Sequence, residues 1–149
     1  KGLSISHISL PIKIFEPRSL IQRICDLWTF APKYLKQAAE IDDHLERLKL
    51  VISFIAAAST CAVDKQAFNP LLGETLQGKY SDGTKFYCEH TSHHPPVSNF
   101  LLEDVDDLYK MYGHYEVNAK MGANNLISAL KGPNNIVFKD GQHIRFNFP

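Results

Sequence analysis

Twice the chain sets Asp-Gly between aromatic and β-branched flanks, at "YSDGTKFY" (80–87) and "FKDGQHIRF" (138–146). A two-residue hairpin turn needs positive φ at its central positions, which Gly and Asp tolerate and most residues do not, so each pair marks the tip of an antiparallel hairpin. Between them "KMYGHYEVNAKM", "NLISAL" and "NNIVF" carry the residues of further strands. The second half of the chain is therefore an antiparallel meander of about six or seven strands. It stops at "HIRFNFP", the outgoing arm of a hairpin with nothing left to pair its outer edge. A bare apolar edge is a liability, which points to the N-terminal part of a longer sheet rather than to a dimer.

The first third follows a different period. In "FEPRSLIQRICDLWTF" Ser19 stands three residues before Gln22, a capping-box pair, and Leu20, Ile21, Ile24, Leu27 and Trp28 recur at helical spacing, predicting a helix over about 19–29. A second begins near Asp42 or Asp43 and runs to about Cys61. Its apolar stripe is Leu45, Leu48, Ile52 and Ile55, with Glu46, Arg47 and Lys49 opposite. The order of elements is α+β and mostly β, with helices over about 19–61 and strands over about 74–148.

At 149 residues the chain has the length of one domain, and such a domain buries about 70% of the surface its unfolded chain exposes. Sixteen basic residues balance sixteen acidic ones. No global positive field of the nucleic-acid-binding kind exists, so an anion site must be local. Cys25, Cys61 and Cys88 form no C-x-x-C pair, which excludes thiolate zinc and redox motifs and suits a reducing compartment. The longest apolar run, "LVISFIAAASTCAV" (50–63), is too short to span a bilayer.

Two stretches carry chemistry. In "AFNPLLGETL" (67–76) Asn69 precedes Pro70 and is biased away from helical geometry, and Gly73 frees the backbone for a tight turn before the first strand of the meander. In "EHTSHHPPVSNF" (89–100) the two prolines hold His94 and Pro95 extended and remove two ladder donors. That excludes the middle of a central strand and fits a strand start at a sheet edge or rim. There His93 and His94 point to opposite sides unless a bulge brings them together. Local rules leave several roles open: a hydrogen-bonded rim pair, a phosphate clamp of imidazole donors, a metal pair from His90 and His93, or nucleophilic use of Ser92 or Ser98. The metal and nucleophile readings lack the usual ligand spacing and the strand-turn-helix elbow.

Taken together, "EHTSHHPPVSNF", "FNPLLGETL" upstream of it and "ISLPIKIFEPRSLIQRI" resemble, in order, the signature, the second hallmark and the start of the lipid-transfer domain of the oxysterol-binding protein family. The resemblance implies a non-enzymatic, cofactor-free domain: N-terminal helices and an incomplete β-barrel enclosing a lipid tunnel, of which residues 1–149 form the N-terminal part. It implies sterol or phospholipid carried between membranes, often against phosphatidylinositol 4-phosphate. It also implies a cytoplasmic protein, peripheral at membranes or membrane contact sites, with membrane lipids and no nucleic acid as partners. His93, His94 and Asn69 match the family's headgroup-binding residues. The family's lysine before this hallmark is replaced by Gln66, with Lys65 one residue early and Ala67 in place of proline. A neutral donor contributes about 0.5–1.5 kcal/mol where a charged one contributes about 1.5–3, which predicts roughly tenfold weaker phosphate binding unless Lys65 swings in. His90 stands where lysine or glutamine is usual, and Asn99 where alanine is usual. The competing expectation is a regulatory or scaffolding remnant of the fold that transfers no lipid.

Overall fold

A computed structural model describes residues 11–61, 65–121 and 126–148, with the backbone alone for 118–121 and 126–130. Residues 8–10 of the family-like start, Ala62 and Val63 lie outside the described residues. A short 3-10 turn, Ile12–Ile14, leads into β1 (Phe15–Ser19). Three helices follow: α1 (Leu20–Asp26), α2 (Ala31–Ala39) and α3 (His44–Ser59). Then come β2 (Gln66–Phe68), β3 (Thr75–Lys79), β4 (Lys85–His93), β5 (Pro96–Glu103), β6 (Tyr109–Met121), β7 (Leu126–Lys131), β8 (Asn134–Phe138) and β9 (His143–Phe146).

β2 pairs in parallel with β1, where Phe15 and Phe68 stack with ring centroids 4.8 Å apart. The other seven strands form one antiparallel sheet in the order β3-β4-β5-β6-β8-β9, with β7 also on β6. Both Asp-Gly pairs sit at hairpin tips, between β3 and β4 and between β8 and β9, with Gly83 and Gly141 at φ 93° and 87°. The sheet is open among the described residues. It does not close into a barrel or enclose a tunnel there; a groove of 410 Å³ across β3, β4 and β5 is open to solvent beside Tyr87 and Asn99.

The helices cover one face of this sheet. Trp28 is fully buried against Phe100, 4.3 Å between ring centroids, and donates from Nε1 to the Tyr115 hydroxyl at 3.4 Å. Strand alternation supplies the other side of the core: Ser98, Phe100 and Leu102 of β5 and Cys88 and His90 of β4 all point inward.

Three expectations about the helices and the rim need correction. The predicted helix over 19–29 ends at Asp26, and a separate α2 follows whose buried positions are Ala31, Leu35 and Ala38. Small residues at two of three inward positions gave it a weak apolar signature. In α3 the inward face is Arg47, Val51, Phe54 and Ala58, whereas Leu45, Leu48 and Ile52 are 62%, 41% and 55% exposed. A buried arginine reversed the inference. Its guanidinium donates to the carbonyls of Ala38 (2.9 Å) and Ile41 (2.7 Å), pairs with Asp140 and Gln142 of the β8–β9 turn, and lies over the Phe138 ring. Finally, the His-His-Pro-Pro stretch is a strand start at a rim, with Pro96 opening β5 as expected, but it is not on a sheet edge: it joins two interior strands, β4 and β5.

Candidate functional site

The two hallmark stretches are stitched together by main chain. After β2 the backbone turns at Gly73, φ 80°, a region that favours glycine. The Gly73 N–H donates to the His90 carbonyl and the His90 N–H to the Glu74 carbonyl, both at 2.9 Å, which extends the β3–β4 ladder by one step. The turn is closed by the Glu74 carboxylate, which accepts from the Leu71 N–H at 2.9 Å. Asn69, just upstream, is thereby held over β4.

A bulge then sets the direction of the histidines. Cα partners run His90–Ser98, Ser92–Val97 and His93–Pro96, so Thr91 is an extra residue on β4. Side chains alternate with period two, and one inserted residue brings His93 back to the side of His90. Side-chain bonds fasten the tip around it: Asn99 Nδ2 donates to Thr91 Oγ1 at 2.6 Å and Ser92 Oγ to the Pro95 carbonyl at 2.8 Å. The asparagine at 99 thus has a local structural partner in the bulge. The His94–Pro95 peptide is cis.

The result is a cluster of nitrogen groups at one end of the sheet. His93 Nε2 lies 3.5 Å from Asn69 Nδ2, and the His93 and His94 rings meet edge to face with centroids 5.0 Å apart. Asn69 and His94 are exposed and His93 is half-buried. Asn69, His93 and His94 are therefore brought together. Lys65 and Gln66 are both exposed at the start of β2, and among the described residues neither is hydrogen-bonded to the cluster.

Behind His93 stands a residue to which the sequence assigned no such place. His90 is fully buried, with Nδ1 2.9 Å from Ser98 Oγ and Nε2 3.4 Å from His93 Nδ1. Burial, with a smaller contribution from His93, pushes its pKa below the ordinary imidazole value, and the Glu74 carboxylate only partly offsets this. Counting inward positions back from Phe100 through Ser98 to its partner would have found it.

The arrangement brings polar nitrogen groups together at the tip. The Ser98 hydroxyl is 4% exposed and bonded to His90, and the Ser92 hydroxyl is spent on Pro95, so neither presents a free nucleophile. Among the described residues no three His, Cys, Asp or Glu side chains converge as a metal set, and no helix is long and apolar enough to cross a membrane.

Fold and cluster together place exposed nitrogen-bearing side chains at a sheet rim beside a helix-covered core. The chain belongs to the oxysterol-binding protein family, whose profile matches residues 1–149. It is 42% identical to oxysterol-binding protein 9 of Dictyostelium discoideum over the whole chain and 35% of that protein. Over 79% of the chain it is 39% identical to oxysterol-binding protein homolog 1 of Saccharomyces cerevisiae, of which it covers 10%. Among solved structures it is similar to the Osh1 ORD domain in complex with cholesterol (TM-score 0.86, 28% identity, 98% of this chain and 36% of that one). It is also similar to the Saccharomyces cerevisiae Osh3 ORD in complex with PI(4)P (TM-score 0.86, 25% identity, 98% and 40%). The chain thus spans about a third of the length of the Dictyostelium relative and of the Osh1 domain.

Proposed function

We propose that the chain is the N-terminal part of a lipid-transfer domain. On this reading it contributes to a tunnel for a sterol or phospholipid and holds the phosphate of phosphatidylinositol 4-phosphate with Asn69, His93 and His94. The carrying observation is the meeting of Asn69 and His93, from the two hallmark stretches, at 3.5 Å on an exposed hairpin tip. Extracting a lipid with about 30 methylenes exposes apolar surface at about 0.8 kcal/mol each, more than 20 kcal/mol in total, which only a dry tunnel offsets. The headgroup stays polar and needs donors at the mouth. Non-enzymatic transfer by a cytoplasmic protein, peripheral at membranes or membrane contact sites, follows from the same reading. Similarity to ORD structures holding cholesterol and PI(4)P supports it.

The exposed positions of Lys65 and Gln66 favour a second reading, a regulatory or scaffolding form that transfers no lipid. A transfer assay between donor vesicles containing phosphatidylinositol 4-phosphate and plain acceptor vesicles separates the two. The protein should extract the phosphoinositide, and His93→Ala with His94→Ala should abolish that extraction. Unchanged extraction by the double variant removes the headgroup assignment; no extraction by the parent protein favours the scaffold.

A further inference from the structure

The buried His90 has no role in the headgroup assignment, yet it touches the one histidine that joins both hallmark stretches. An imidazole that is neutral has one donor nitrogen and one acceptor nitrogen, and an amide NH2 only donates. Asn69 Nδ2 faces His93 Nε2 at 3.5 Å, so Nε2 is the acceptor and the proton of His93 sits on Nδ1. That proton is donated to His90 Nε2 at 3.4 Å, which places the proton of His90 on Nδ1, donated to Ser98 Oγ at 2.9 Å. In this arrangement the donors of His93 and His90 point inward, and His93 offers a lone pair where a phosphate needs a hydrogen.

Two routes give His93 an outward N–H. One adds a proton and makes an imidazolium beside a buried ring whose centroid is 5.6 Å away. The other reverses the chain. A serine hydroxyl donates as readily as it accepts, so Ser98 can donate to His90 Nδ1, His90 Nε2–H to His93 Nδ1, and His93 Nε2–H to the ligand. Protons balance: one is taken up from solvent at His93 Nε2, one passes from His93 Nδ1 to His90 Nε2, and the Nδ1 proton of His90 is released to solvent in exchange, while the Ser98 hydroxyl keeps its own proton and rotates to donate. Each ring keeps a single proton, and the Asn69 amide is released to face the phosphate as well.

We propose that His90 is a positioning residue that sets the tautomer of His93 through Ser98, so that His93 meets a phosphate monoester as a neutral donor and not as a cation. This deepens, and rests on, the headgroup reading given above. Burial and the neighbouring imidazole oppose charge on His90, which favours the uncharged route. The titratable groups around the chain are Glu74 on the preceding turn, Cys88 on β4, His94 in the turn after it, and Tyr115 and Glu116 opposite Ser98 and Val97 on β6. Glu74, the one carboxylate acting on His90, draws it toward the cation without overcoming burial.

Imidazole 15N NMR on the whole chain, titrated with dioctanoyl phosphatidylinositol 4-phosphate, tests this directly. His93 and His90 should both pass from the Nδ1–H to the Nε2–H tautomer, with no imidazolium pattern. Ligand-induced shifts at His93 with an unmoved His90, or an imidazolium at His93 in the bound state, overturn the relay while leaving the headgroup reading standing. Absence of any shift at His93 and His94 takes down both. Affinity for the same lipid provides a second readout. His90→Leu should lower affinity several-fold, because His93 Nδ1 then has no donor to hold its proton outward on Nε2. His90→Gln, whose amide can donate to His93 Nδ1, should restore the parent affinity. Equal affinities of the parent and His90→Leu refute the proposal.

Discussion

Two buried polar networks in this molecule end differently. Around Arg47 every bond closes inside the protein: the carbonyls of Ala38 and Ile41, the side chains of Asp140 and Gln142 and the ring of Phe138 surround one guanidinium. The chain from Ser98 through His90 and His93 to Asn69 also begins in the core, but its outer members reach solvent. A closed network fixes the relation of α2, α3 and the β8–β9 turn. An open one leaves donors and acceptors without internal work, which is what a ligand site requires.

The largest effect that would sharpen this contrast is on stability. Arg47→Met should cost about 3 kcal/mol or more, because the carbonyls of Ala38 and Ile41 lose their donors at roughly 1–3 kcal/mol each. His93→Ala with His94→Ala, at the half-buried and exposed end, should stay within about 1 kcal/mol. Urea unfolding of both variants measures this, and equal losses would break the comparison.

Acid should separate the networks next. The backbone N–H of Gln142, and then Arg47, hold the Asp140 carboxyl below the usual carboxylate range. At Asp26 burial pushes upward, but Arg18 and Arg23 outweigh it and also leave that carboxyl low. A depressed folded pKa contributes stability that is present above the unfolded value, about 3.9, and is lost as pH falls through the folded one. The urea midpoint should therefore drop between pH 5 and pH 3, and Asp140→Asn should show a smaller drop. An unchanged drop in that variant would detach Asp140 from the Arg47 network. The smallest effect is expected on the far side of α3, where Ile52→Gln should change stability by no more than about 0.5 kcal/mol. A core-sized loss there would mean that the leucine and isoleucine stripe, not the arginine face, is inward.

Much of this was legible beforehand where local chemistry decides. Asp43 caps α3 by accepting from the N–H groups of Leu45 and Glu46, and the Gln22 side chain accepts from the Ser19 N–H as the capping pair foretold. Both Asp-Gly turns and the seven-stranded antiparallel sheet were readable for the same reason. Tertiary partners decided the rest. Nothing near Arg47 in sequence announces two carbonyls and an acidic turn 93 residues away. The short parallel pair of β1 and β2 depends on equally distant partners, Phe15 and Gln66. At the candidate site Asn69, His93 and His94 were named from the hallmark stretches, and the fold draws them together. His90 was seen as a departure from the family pattern, but its place in the chain depends on the inward register of β4 and on the bulge.

That bulge bears on how such chains should be compared. His90 and His93 are three residues apart, an interval that regular period-two pairing would place on opposite faces of the strand; both rings face one way because Thr91 is left unpaired. A homologue with both hallmarks in order, but with its residue 91 paired in register on β5, would still be recognised by a search, while its position 93 would point away from position 90 and from Asn69. In this stretch the pairing register carries as much information as the histidines themselves, so homologues should be compared by the bulge between the buried position 90 and the tip, and not by the motif alone.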